Sequence, residues 1–299
     1  MPRLPLIKKR RPLSKDGTTW PSRSRHFKWS VLLDFLVITT LLLLSLAFYK
    51  FIYPTERYFR IDDPELMWPR APVLVSSPLV GAVSFFLPAS IILLANIFFW
   101  WNKWDLYSGL VGLLFAWTVS LFFTGLLWVI VGEVRPHFLS KCDIDISRVS
   151  TNTLFYTRDI CRNNDKITPD DLHSFPSGHG SGAFVGMVFL MCYLNGKLKV
   201  FNGHGGHTWK FLVAFVLPLT LAFYLSLRRL ADHSHTGTQM LIGILIGVFS
   251  ALAAYRLFYR SGFWFGHGED SHISTVQWAR ENSRFEQVGD TGYENSTNS

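Results

Sequence analysis

The chain is predicted to fold as an all-α bundle of six membrane-spanning helices, and three observations predict it. Six apolar runs approach or reach the roughly 20 residues that a helix needs to cross a hydrocarbon core, within 299 residues of which 49% are hydrophobic. Tryptophan and tyrosine gather at the ends of these runs, at Trp100, Trp101, Trp104, Trp128, Trp209, Tyr255 and Tyr259, where amphipathic rings anchor a helix at the membrane interface. Nine Lys/Arg against one acid in residues 1–30 account for the whole net charge of +8, and a basic stretch abutting a span marks the cytosolic side.

The elements follow in order. Residues 1–30 are a basic cytosolic segment, too long in its basic part and lacking the cleavage pattern for a secretory signal. Charge confined to this segment suits contact with anionic lipid and argues against a nucleic-acid partner for the rest of the chain. Spans are expected near 31–53, 79–100, 106–131, 177–194, 211–227 and 239–258. Asp34 is the clear charge inside a span, a functional candidate by default. Gly182-x-x-x-Gly186 and Gly243-x-x-x-Gly247 are small-residue pairs of the kind that lets helix backbones approach in lipid. Six spans return the chain to the cytosol. The joint at 102–105 and the Gly-rich loop with His204 and His207 then fall on the cytosolic side, and the loops at 54–78, 132–176 and 228–238 on the other. Residues 31–260 form the membrane domain. Residues 261–299 are polar, without a periodic apolar face, and read as a disordered cytosolic tail whose sequon at Asn295 is unused. Cys142 and Cys161 flank a polar loop and can pair if it faces an oxidising compartment. Cys192 sits in an apolar run as a small buried hydrophobe.

Three polar clusters fall on the same, non-cytosolic side: "GEVRPHFL" after the third span, "HSFPSGHGSG" opening the fourth, and "RRLADHSHTGTQ" between the fifth and sixth. In the second cluster Ser177 is a good N-cap residue before a helix-forming run. The start of that helix offers unpaired N–H groups and the positive end of a dipole to an anion. Gly178 removes the side chain that would block an oxyanion, and His179 is placed to donate a proton to a leaving group. Arg135 and Arg229 offer planar, paired donors to phosphate oxygens. His235 is then a candidate nucleophile that forms a phosphohistidine. No cluster of acids suited to magnesium accompanies these residues, so the constellation suggests phosphoryl transfer to water without a metal or other cofactor, the charge being met by protein donors.

Arg135-Pro136, Pro176-Ser177-Gly178-His179 and Arg229 with His235 resemble the three signature motifs of the type-2 phosphatidic acid phosphatases, or lipid phosphate phosphatases, whose soluble relatives include vanadium haloperoxidases. The resemblance covers nearly the whole chain: six spans, motif order, and motifs at the ends of spans three, four and five. It implies that Arg135, Ser177, Gly178 and Arg229 bind phosphate, that His179 is the general acid, that His235 is the nucleophile, that no metal is needed, and that membrane phospholipids are the substrates. Two motifs are degenerate. The family's lysine seven residues before the arginine is Trp128 here, its serine before the third-motif arginine is Arg228, and its aspartate four residues after the nucleophile is Gln239. Arg228 is a candidate to supply the cation lost at Trp128, and Asp232 or Glu133 to reach the imidazole in place of the lost aspartate. A pseudophosphatase that binds phospholipid or partner proteins without turnover is the alternative reading. The sequence leaves the oligomeric state open.

Overall fold

A computed structural model describes residues 23–259, apart from 54, 56, 70–71, 73–74, 151, 164, 166 and 202–206, together with residue 274. The basic stretch before residue 23, the loop position His204, the tail from 275 on and its Asn295 sequon lie outside the described residues. Two compact units are present, Met1–Val37 and Ile38–Ser299. The first contains the beginning of the first helix. The site and the other helices belong to the second.

Among the described residues the fold is helical, with isolated β-bridges and no strand. Six helices are long and apolar enough to cross a membrane: α1 (Arg23–Lys50), α2 (Ser77–Ala95), α3 (Lys103–Val131), α4 (Gly178–Leu198), α5 (Thr208–Ala231) and α6 (Gly237–Phe258). The first begins eight residues before the apolar run that predicts it. α2 continues through a π turn at Asn96–Trp100. α5 contains another at Leu212–Val216, just before Pro218, which has no N–H to donate back into the helix.

Burial ranks the helices. In α4, 78% of the most apolar window is buried, against 11% in α1. α4 packs against α2, α3, α5 and α6 and is the helix around which the others assemble. Leu36, Leu43 and Leu46 of α1 stay exposed, which costs nothing when the solvent is hydrocarbon. Close approach to α4 requires glycine at three places. A Cβ on Gly186 would overlap the Ser84 carbonyl of α2, one on Gly243 of α6 the Ser177 carbonyl at the start of α4, and one on Gly247 of α6 the Ser181 carbonyl. Gly182, the other half of the first pair, meets only the Trp117 ring at 3.7 Å.

At one end of the bundle, α3 starts where α4 finishes. Asp105 is buried there in an ion pair with Lys197 at 2.6 Å, and it accepts a hydrogen bond from the Tyr193 hydroxyl at 3.0 Å. Asp34, the charge expected inside a span, is only half-buried, whereas Asp105 is fully buried. The site lies at the other end, where α3 finishes and α4 starts. The connection between them, residues 132–176, has its own small core of Phe138, Leu139, Ile160 and Leu172 packed with Phe59. A disulfide joins Cys142 to Cys161 within it.

Candidate active site

Each of the three polar clusters is brought to this end by a helix terminus. α3 stops at Gly132, whose φ of 56° lies in the left-handed region that glycine adopts without strain. The chain then turns through Arg135. α4 is capped by Ser177, whose Oγ accepts from the Gly180 N–H at 3.3 Å. α6 opens with a capping box in which Thr236 and Gln239 each accept from the other's backbone N–H. The Ser177 N–H donates to the Gln239 carbonyl at 2.9 Å, tying the starts of α4 and α6 together.

Arg135 and Arg229 are both 5% exposed and both line a cavity of about 760 Å³. The Arg135 guanidinium donates from Nε to the Asp170 carbonyl at 2.8 Å and from Nη2 to the Asp170 carboxylate at 2.9 Å. Arg229 faces Asp232, with 4.0 Å between Nη1 and Oδ2, and its Nε and Nη1 have no hydrogen-bond partner. Leaving charged donors buried and unpaired costs several kcal/mol by the usual scale, and an anion in the cavity could take up these donors. Lys141 lines the same cavity and is held by the Asp171 carboxylate at 2.6 and 2.8 Å. Burial works against the Asp171 charge. His137, Lys141 and Thr168 outweigh it and hold the carboxyl well below the usual range.

The two histidines lie behind the cavity wall with ring centroids 5.9 Å apart. His179 Nε2 shares a hydrogen bond of 3.2 Å with the Ser77 hydroxyl, and Ser77 itself lines the cavity. His235 is 3% exposed. Its Nδ1 is 3.1 Å from the Ser174 carbonyl and 3.3 Å from Gln239 Oε1. A carbonyl only accepts, so Nδ1 carries the proton and Nε2 keeps its lone pair. Burial, then the Arg135, His179 and Arg229 charges, push the His235 pKa well below its ordinary value despite the Gln239 contact. The imidazole is therefore held as a neutral base.

Gln239 Oε1 also accepts from the Thr236 N–H at 3.0 Å and the Ser174 hydroxyl at 2.8 Å. The Thr236 N–H can only donate, which fixes this atom as the oxygen of the amide. With two shorter donors on it, the Ser174 carbonyl is the main acceptor for Nδ1.

Comparison with known proteins supplies a family. The PAP2 superfamily model matches residues 109–263. A PA-phosphatase related-family protein of Dictyostelium discoideum is 33% identical over 263 residues, 84% of this chain and 69% of that protein. The chain belongs to the PAP2 superfamily. Diacylglycerol pyrophosphate phosphatase 1 of Saccharomyces cerevisiae is 31% identical over 235 residues, 77% of this chain and 79% of that one. Lipid phosphate phosphatase 1 of Arabidopsis thaliana is 29% identical over 251 residues, covering 83% and 72%. No solved structure matches.

The positions read as degenerate in the sequence make definite contacts. Trp128 donates from Nε1 to the Pro176 carbonyl at 2.8 Å and stacks on His173 at 5.3 Å and 10°. Its ring edge would meet a Cβ on Gly178 at 2.9 Å. It braces the loop that opens α4 and supplies no charge. Arg228, expected to replace the lost cation, is not among the residues lining the cavity, and neither are Ser177, Gly178, His179 and His235. The third lining cation is Lys141, a residue that no motif marks. Asp232 and Glu133 do not reach the imidazole either. Asp232 faces Arg229, and Glu133 pairs with the exposed Arg57 at 3.8 Å. Ser174, inside the second polar cluster, makes the contact with Nδ1 that was expected of an acid, and it does so through its backbone carbonyl, which no side-chain pattern signals.

Proposed function

We propose that the protein is a multi-pass lipid phosphate phosphatase working through a phosphohistidine, with phosphatidic acid, lysophosphatidic acid, diacylglycerol pyrophosphate or an isoprenoid diphosphate as substrate. The observation that carries the reading is His235, a buried imidazole whose Nδ1–H is held by the Ser174 carbonyl so that Nε2 is the free base. Arg229 supports it by offering two unpartnered nitrogens to the same site. The names of the yeast and plant relatives agree with it.

In this mechanism the lipid's phosphate is held by Arg135, Arg229 and the start of α4 at Ser177 and Gly178. His235 Nε2 attacks phosphorus, the P–O bond to the lipid breaks, and the proton on His179 Nε2 passes to the departing oxygen. Water then attacks phosphorus, the P–N bond breaks, His179 takes the water's proton, and inorganic phosphate leaves. The three lining cations neutralise charge in place of a metal. Both termini are cytosolic, the site faces the lumen or the outside, and residues 1–30 and 261–299 flank a membrane domain at 31–260. A tag inserted in the 132–176 loop and reached from the cytosol would overturn that orientation.

Phosphate release from phosphatidic acid by the purified chain in detergent, with EDTA present, tests the chemistry. Wild type should turn over and His235→Ala should not. Equal inertness of the two across the substrates named would leave the second reading, a pseudophosphatase that binds phospholipid. That reading is favoured by one feature: among the described residues no carboxylate is hydrogen-bonded to His235.

A further inference from the structure

Ser77 is the first residue of α2 and stands 102 positions from the histidine it touches. It also lies outside residues 109–263, the part matched by the family model. Its Oγ and His179 Nε2 are 3.2 Å apart. Ser77 lines the cavity beside Arg135 and Arg229, so its hydroxyl sits at the wall between the cavity and the imidazole.

Local sequence places it there. Ser76 precedes the helix in extended backbone, and Pro78 at the second position fixes a helical φ where no N–H is needed. α2 then runs against α4 so closely that a Cβ on Gly186 would overlap the Ser84 carbonyl. That contact sets the first turn of α2 against the first turn of α4, where His179 sits. A hydroxyl can accept from an imidazole N–H and, after rotating, donate to the same nitrogen once the proton has gone. It is therefore a partner for His179 in both of its working states.

We propose that Ser77 is the positioning residue of the leaving-group acid. This rests on the phosphatase reading above, in which His179 Nε2 carries the proton for the departing oxygen and later takes one from water. Ser77 holds that nitrogen at the cavity wall, where both oxygens arrive. It gives up no proton of its own and does not contact phosphorus.

The test uses two substrates that share a phosphate and differ in the leaving group. Phosphatidic acid releases an alkoxide that needs a proton, whereas p-nitrophenyl phosphate releases a phenolate that does not. Ser77→Ala in the full chain should lower kcat on phosphatidic acid about tenfold more than kcat on p-nitrophenyl phosphate, part of what general acid catalysis contributes. KM should move less than kcat, and Ser77→Thr should recover most of the difference. Equal losses on both substrates would mean a merely structural role and would overturn the proposal, as would no loss on phosphatidic acid. A second readout does not depend on turnover. With 15N-labelled histidine, the Nε2 resonance of His179, assigned by its disappearance in His179→Asn, should shift in Ser77→Ala and return in Ser77→Thr. An unmoved resonance overturns the proposal even in a preparation that proves inert. Inertness shared by wild type and His235→Ala sinks the phosphatase reading alone.

Discussion

At the scale of single residues, the question is what an amide does where a carboxylate is expected. Neutralising the orienting acid of a catalytic histidine lowers turnover by about 10⁴ in serine proteases, mostly through a wrong tautomer. Here the Ser174 carbonyl holds the tautomer independently, so the loss reduces to missing charge on the imidazolium. Gln239→Glu keeps the length, the Thr236 cap and the oxygen position while adding that charge. It is expected to raise kcat by about tenfold, about 1.4 kcal/mol, in the phosphatidic acid assay. Gln239→Asp is one methylene shorter, gives up the Thr236 contact and should gain less. The pH profile follows with a definite sign. Burial and the cations around His235 disfavour its protonation, so the acidic limb of kcat/KM should lie below pH 6.5 for this group. A carboxylate at position 239 favours the imidazolium and should move that limb upward. Comparing the two proteins on one substrate removes the substrate's own ionisation. In the sequence, Gln239 is legible only as a glutamine where the family resemblance leads one to expect an aspartate. That its side-chain oxygen caps α6 and also faces His235 is not legible there, because it depends on how the two helix starts meet.

At the scale of elements, the small-residue pairs in α4 and α6 announce close packing, but in α4 Gly186 is needed and Gly182 is not, whereas in α6 Gly243 and Gly247 both lie against backbone. Gly243 lies against the Ser177 carbonyl, so Gly243→Ala must displace the cap of α4. Overpacking of this kind costs about 1–3 kcal/mol. The variant should show a lower Tm in detergent and, because Ser177 moves, weaker phosphate binding. Gly182→Ala meets only the Trp117 ring at an ordinary contact distance and should leave Tm within a degree or two of wild type. The same spacing in sequence thus carries different weight, because facing depends on the rotation of each helix about its axis. Helix ends show the converse. Ser177 is readable as a cap from residue type alone, since a cap answers to local N–H and C=O groups.

At the scale of the whole molecule, the loop over 132–176 holds Arg135 and Lys141 in place from outside the bundle. Its disulfide closes a separation of 19 residues, and a loop of that size contributes about 3 kcal/mol through the unfolded state. Cys142→Ser should make the 132–176 segment markedly easier to cut in limited proteolysis and should weaken phosphate affinity. The six helices should stay intact by circular dichroism, because the bundle has a separate core around α4. A chain in which proteolysis and affinity are both unchanged would show that the loop is held by its apolar core alone.

Composition and order along the chain were enough to determine six apolar helices, the Ser177 cap and the three polar clusters, because hydrophobicity and N-capping act over a few residues. They also supplied Arg135, His179, Arg229 and His235. The tertiary structure alone decided how His235 is oriented, that Lys141 rather than Arg228 lines the cavity, that Trp128 became a brace, and that Ser77 reaches His179. Each of these is a contact between groups far apart in sequence, and two of them run through backbone carbonyls. Such contacts arise when helix ends converge, and no pattern of side chains along one segment records that.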